Sequence, residues 1–169
     1  MGYSSVHLFF DDLEVGMSWE SGGRTVTESD ITNFAGFSGD FNPMHVDHAY
    51  AANTAFRRPI AHGFGVFSMA SGLGIQSPPV RTIALLSVRT WSFVLPVFIG
   101  DTIRVRTRVV EKTLRGRGKR GEVVWNRAIV NQEGKTVQEG QVITLVECRP
   151  LAKMNLQPAV AQAGVNGII

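Results

Sequence analysis

Asp40, Asn42 and His45 fall within six positions of one another, in the run Gly-Asp-Phe-Asn-Pro-Met-His that begins at Gly39. A carboxylate, an amide and an imidazole this close can take a proton from one atom of a substrate and return one to another, which is general acid–base chemistry. The turn residues say how they are held. Pro43 fixes its own φ and pushes Asn42 out of the helical region, so Asp40 and His45 are expected on a braced loop rather than on one helix face. Asp47 makes a good N-cap for a short helix from His48 to about Asn53, which anchors the far end of that loop. Four scattered histidines without matching carboxylate spacing make no metal site, and the single cysteine, Cys148, excludes a thiolate-rich zinc site.

Upstream of this loop a strand-like segment, 17–26, precedes a helix signalled by Thr27 with Asp30 three residues on, a capping-box pattern. That helix should end near Gly36 or Gly39 and so deliver the chain into the loop. Downstream, Phe64, Val66, Phe67, Met69, Ala70, Leu73 and Ile75 make a helix apolar on nearly every side, as expected of one enclosed all round. From Arg81 the period changes to two. Ile83, Leu85, Ser87, Arg89, Trp91 and Phe93 are expected to share one side of one extended stretch or of two broken strands. Ile103, Val105, Thr107 and Val109 alternate with Arg104, Arg106 and Arg108, a half-buried strand with a solvated arginine face. Strands near 122–131 and 136–147 flank the turn Gln-Glu-Gly-Lys at 132–135. One enclosed helix followed by a run of antiparallel strands predicts an α+β fold in which a sheet wraps a central helix.

The 169 residues suffice for one domain with its own core, and the composition is ordinary for a globular chain: 44% hydrophobic and 18% charged. One cysteine suits a reducing compartment, and residues 1–10 show no secretory pattern, so a cytoplasmic protein is expected. The nearly uncharged stretch 59–80 is rich in glycine, and its helix of about twelve residues spans only about 18 Å, too short for a bilayer. The net charge of +3 hides an asymmetry, because residues 101–120 hold eight Lys and Arg against two carboxylates. A local anionic partner is indicated rather than general nucleic-acid coating. The basic Arg-Gly run at 115–121 is an ordinary hairpin tip, a dock for phosphates, or, least favoured, a nucleic-acid contact.

From Phe34 the chain runs Phe-Ala-Gly-Phe-Ser-Gly-Asp-Phe-Asn-Pro-Met-His-Val-Asp and, after His48, Ala-Tyr-Ala-Ala-Asn-Thr-Ala-Phe-Arg-Arg-Pro-Ile-Ala-His-Gly-Phe. This closely resembles the hydratase motif of the MaoC-like dehydratases, or R-specific enoyl-CoA hydratases. The resemblance extends through Ser71-Gly72 and the Leu-Pro-Val-Phe-Ile-Gly-Asp stretch at 95–101, and covers roughly residues 10–148. It implies a hot-dog domain over 1–149; the tail 150–169, rich in Ala, Gly, Gln and Asn, is expected to be a loosely held extension. It implies that Asp40 and His45 add water syn across a trans-2-enoyl thioester to give the R-3-hydroxyacyl product, Asn42 orienting the carboxylate or the water. It assigns the thioester oxyanion to the backbone N–H of Gly72, with Ser71 in support. Glycine also suits close approach by a substrate oxygen.

Other expectations follow from the enzyme reading. Phe64, Phe67, Trp91 and Phe93 would wall an acyl pocket, their bulk favouring short or branched chains. Arg115, Arg117, Lys119 and Arg120 would meet the coenzyme A phosphates. Coenzyme A enters only as part of the substrate, so no cofactor is expected, and no nucleic acid or membrane partner. A homodimer or larger homo-oligomer is expected because one protomer leaves strand edges open. His62 reads as a hydrogen-bonding residue at a helix start, and His7 and His48 as surface residues. A dicarboxylic acyl group met by Arg81 or Arg89 stays open. So do two competitors: an acyl-CoA thioesterase, which in this fold generally carries a carboxylate on the enclosed helix where 59–80 has none, and a non-catalytic acyl-CoA-binding or partner subunit.

Overall fold

The computed structural model describes residues 7–150. Six strands form one antiparallel sheet: β1 (Ser18–Glu20), β2 (Arg24–Thr25), β3 (Thr82–Phe93), β4 (Thr102–Arg115), β5 (Arg120–Val130) and β6 (Thr136–Glu147). The order is β1-β4-β5-β6-β3, with β2 also on β4. Four helices accompany it: α1 (Glu28–Ser38), α2 (Pro43–Val46), α3 (His48–Ala52) and α4 (Gly63–Ile75). This is the hot-dog architecture. Among the described residues no helix is long and apolar enough to cross a membrane. The extension expected from residue 150 lies, from 151 on, outside the described residues.

Local chemistry explains the elements that carry the loop. Thr27 and Asp30 close a full capping box, and α1 ends on Gly39 at φ 77°, a left-handed position that glycine takes without strain. The expected strand over 17–26 is two short pieces, interrupted where Ser21 pairs with Val105 and Gly22 and Gly23 follow. The alternation of β4 holds, with Ile103, Val105, Thr107 and Val109 buried between exposed Arg104, Arg106 and Arg108.

Two expectations need correction. β3 is one strand, but register shifts near residues 83, 86 and 90–91 break its period of two, so the six residues from Ile83 to Phe93 do not share one side. Nor is α4 enclosed all round. Val66 and Ala70 pack into the core with Ile31, Val97, Ile103, Val105, Ile129 and Val137, while Phe64 and Ile75 remain 69% exposed. A single sheet covers one side of a helix; the other side needs a further layer.

Candidate active site

The loop is tighter than its sequence suggested. His45 is not on a loop but inside α2, a one-turn helix that starts at Pro43, where a missing N–H costs nothing. Asn42 stays extended, as a residue before proline must, and its side chain caps α2 by accepting from the Met44 N–H at 3.1 Å. The Asp40 carboxylate accepts from the Asn42 N–H at 3.2 Å. Asp47 caps α3 through the Tyr50 N–H at 2.9 Å, and exposed His48 reaches Glu28 of α1 at 2.7 Å. Asp40 and His45 are thereby pinned from both sides.

His62 joins them from the residue just before α4. It is buried, its ring stacks on that of His45 with centroids 3.8 Å apart, and its Nε2–H donates to the Asp40 carbonyl at 2.9 Å. Asp40, His45 and His62 each offer a donor atom, all within 4.8 Å of one another. The carbonyl contacts fix the tautomers, since a carbonyl only accepts. His45 Nδ1–H donates to the Ile60 carbonyl at 2.7 Å, which leaves Nε2 with its lone pair free for a proton. The same rule leaves His62 Nδ1 an acceptor, buried and without a partner. One carboxylate and two imidazoles also form a donor set suited to a divalent cation, although two of the four ring nitrogens are committed to carbonyls.

A cavity of about 410 Å³ opens beside His45, bordered by Phe56, Ile60, Gly63, Phe93, Leu95 and Gln138. The start of α4 faces it. The amides of Gly63, Phe64 and Gly65 precede the first intrahelical bond, Val66 N–H to the His62 carbonyl, and so carry the partial positive charge of a helix start. Gln138 holds that end in place, donating to the Gly63 carbonyl at 2.9 Å and accepting from Trp91 Nε1–H at 3.1 Å. A Cβ on Gly63 would lie 2.8 Å from the Phe93 ring, so any larger residue would have to displace that ring. Sequence reasoning missed both Gly63 and Gln138. The helix-start pattern His62-Gly63 could have revealed the first; nothing local marks the second.

The remaining expected residues lie elsewhere. Gly72 is well inside α4, where its amide belongs to the helical ladder, so in this chain it is not a free oxyanion donor. Ser71 donates its hydroxyl to the Phe67 carbonyl at 3.0 Å. Both Ser71 and Phe67 line a second cavity of about 410 Å³, with Ile75, Val80, Leu85 and Arg127. Phe67 meets Trp91 edge-on at 4.6 Å, and Phe64 meets Phe93 at 5.6 Å. The aromatic four therefore split, Phe64 and Phe93 at the His45 end of α4 and Phe67 and Trp91 further along. Arg115, Arg117, Lys119 and Arg120 form the β4–β5 tip, with Arg115 3.4 Å from Glu122. Arg120 pairs with Glu147, nine strand positions beyond the Ile129–Gln138 pair that abuts Gly63. That is about 30 Å, too far for the tip to serve the cavity of its own chain.

The family model for the MaoC like domain matches residues 13–131. An (R)-specific enoyl-CoA hydratase of Rhodospirillum rubrum is 35% identical over 144 residues, covering 83% of this chain and 93% of that protein. Protein MaoC of Klebsiella aerogenes is 35% identical over 121 residues, covering 70% of this chain, but the match spans only 36% of that longer protein. The crystal structure of the MaoC-like dehydratase from Rhodospirillum rubrum superposes with a TM-score of 0.77 at 28% identity, covering 85% of this chain and 99% of that one. The matched segment contains Asp40, His45, His62 and the whole of α4, and by it the chain belongs to the MaoC-like dehydratase family.

Proposed function

We propose that the protein hydrates trans-2-enoyl-CoA reversibly to R-3-hydroxyacyl-CoA, with Asp40 and His45 as the acid–base pair. The observation that carries this reading is their convergence with His62 within 4.8 Å at the edge of a cavity. His45 Nε2 and the Asp40 carboxylate share one water. As the water oxygen bonds C3, one proton leaves it for the pair, and the pair delivers a proton to C2 on the same face. Such groups typically contribute 10²–10⁴-fold each. Asn42 holds α2, and so His45, in place. Negative charge growing on the thioester oxygen is met by the Gly63 and Phe64 amides at the start of α4, in place of the Gly72 amide. No step uses a cofactor.

The acyl chain needs more room than one chain offers. Among the described residues β3 has a neighbour only on its β6 side, and Ile83, Leu85, Leu86, Val88 and Phe93 on it, with Val94 and Leu95 just beyond, are exposed. An apolar edge of this length favours antiparallel pairing with a second copy. Such pairing sets the Phe93 end of one β3 against the Thr82 end of the other. The His45 cavity of one copy then adjoins the Phe67–Ser71 cavity of its partner, which receives the acyl chain. Pairing also brings the basic tip of one copy to the side of the other's site, where it meets the coenzyme A phosphates.

Incubation with trans-2-butenoyl-CoA and longer enoyl-CoA thioesters tests the reading. The conjugated absorbance falls without release of free thiol, and the product has R configuration. Release of thiol would instead identify a thioesterase, and binding without turnover a non-catalytic acyl-CoA module.

A further inference from the structure

The Arg127 side chain points into the fold. It follows Val123 and Trp125 along the inward face of β5, between them and Ile129, and lies under α4 where Gly74 leaves space for it. A Cβ on Gly74 would sit 3.0 Å from Nη1 and 3.1 Å from Cζ, so the guanidinium fills the volume that any other residue there would claim. Among the described residues Arg127 makes no ion pair, and its Nε is buried without a hydrogen-bond partner. Burial lowers its pKa from the ordinary guanidinium value, a sign of how poorly the charge is solvated.

A second orphan stands beside it. Thr107 faces Arg127 directly across the β4–β5 pairing, is 1% exposed, and its hydroxyl is also without a partner. Residues directly opposite share a face, so the two groups present a planar cation and a hydroxyl donor side by side. Arg127 also lines the second cavity, whose other walls include Phe67, Ile75, Val80 and Leu85. Thr107 itself lies behind the cavity wall, which carries Ser71, Thr82 and Thr144 beside its apolar side chains; a largely apolar pocket with one unpaired cation is suited to recognise one polar group on an apolar ligand. A planar guanidinium matches a carboxylate in two-point contact. The two arginines open to this role in the sequence do not fill it: Arg81 pairs with Glu147 at 3.1 Å, and Arg89 is exposed on the edge strand.

We propose that the acyl group carries a second carboxylate, bound by Arg127, so that the substrate is the mono-thioester of an unsaturated dicarboxylic acid. The inference rests on the hydratase reading and on the paired β3 edges that join the two cavities. Coenzyme A phosphates are not the anion in question, because every acyl-CoA carries them and the cavity discriminates at the other end of the ligand.

The test compares trans-2-hexenedioyl-CoA with trans-2-hexenoyl-CoA, which differ at the acyl terminus alone. A site built around an ionic partner rejects the analogue lacking it strongly, so wild-type kcat/KM should favour the diacid thioester about 100-fold or more. Arg127→Met should collapse that ratio to near one. Gly74→Ala, which pushes the guanidinium from its place, should reduce it without touching the cation itself; it also serves if Arg127→Met fails to fold. Equal or faster turnover of hexenoyl-CoA by the wild type overturns the proposal and leaves the hydratase reading intact. If neither thioester is hydrated, the hydratase reading fails, and calorimetry with the saturated adipoyl-CoA and hexanoyl-CoA decides the proposal separately. Tighter adipoyl-CoA binding that is lost in Arg127→Met upholds it; equal binding overturns it.

Discussion

The acid–base role proposed for Asp40 and His45 rests on small contacts rather than on unusual residue types. The Ile60 carbonyl accepts a hydrogen bond from His45 Nδ1–H and so leaves Nε2 with its lone pair, while His62 Nε2–H donates to the Asp40 carbonyl and ties down that backbone. Asp40→Asn and His45→Gln should each reduce kcat by at least about 10²-fold, with thermal melting unchanged, because neither side chain is buried in the core. Near-normal turnover in either variant would falsify the assignment. Asn42→Ala removes the cap of a helix only one turn long, and should destabilise the protein by about 1 kcal/mol in urea titrations. Its kcat should fall as well, since α2 sets the position of His45. The types and spacing of Asp40, Asn42 and His45 were legible in the sequence. The part played by His62 in holding Asp40 was not, since twenty-two positions separate them and only packing brings them into contact.

The elements act as clamps on this loop. α1 must end at Gly39 for Asp40 to turn toward α4, and its start depends on the Thr27–Asp30 box. Partial burial raises the pKa of the Asp30 carboxyl, but the Thr27 N–H and hydroxyl and the Arg24 guanidinium outweigh it and hold the value below its usual 3.8. A depressed carboxyl contributes stability above its unfolded pKa and loses it as pH falls through the folded one. The urea midpoint of the wild type should therefore drop on acidification below about pH 3.8 more steeply than that of Asp30→Asn. Thr27→Ala should cost about 1 kcal/mol at neutral pH. At the start of α4, Gly63→Val would drive a side chain into the Phe93 ring and close the cavity beside His45. Activity should vanish there while Gly72→Ala, which meets nothing within 4 Å, leaves the folding midpoint nearly unchanged. The helix boundaries and caps were readable because they are local hydrogen-bonding rules. The bulges of β3 were not, because register is set by the partner strand.

The molecule as a whole is half of a working unit under the proposed pairing. A half-open α4, an apolar β3 edge and two cavities at opposite ends of one strand are each unexplained alone and consistent together. Leu86 and Val88 are 47% and 43% exposed on that edge. A Leu86→Lys, Val88→Lys double variant should run as a monomer by light scattering and lose hydration, with its circular dichroism retained. A dimeric, fully active variant would exclude β3 as the seam. Lysines on an unpaired edge repel a second copy but disturb little inside the protomer.

The order and periodicity of the side chains were enough to announce a sheet around a helix and a capped loop with an acid and a base, and the resemblance of the segment 34–64 to a known motif pointed to the family. Those features arise from short-range steric and hydrogen-bonding preferences, which a linear chain displays openly. Folding alone revealed that Gly72 is spent inside a helix while Gly63 offers its amide, that the basic tip lies about 30 Å from the cavity of its own chain, and that Arg127 is turned inward without a partner. Each of these depends on which strand lies beside which, and pairing between distant segments is fixed by the packing of the whole core rather than by any stretch of residues within it.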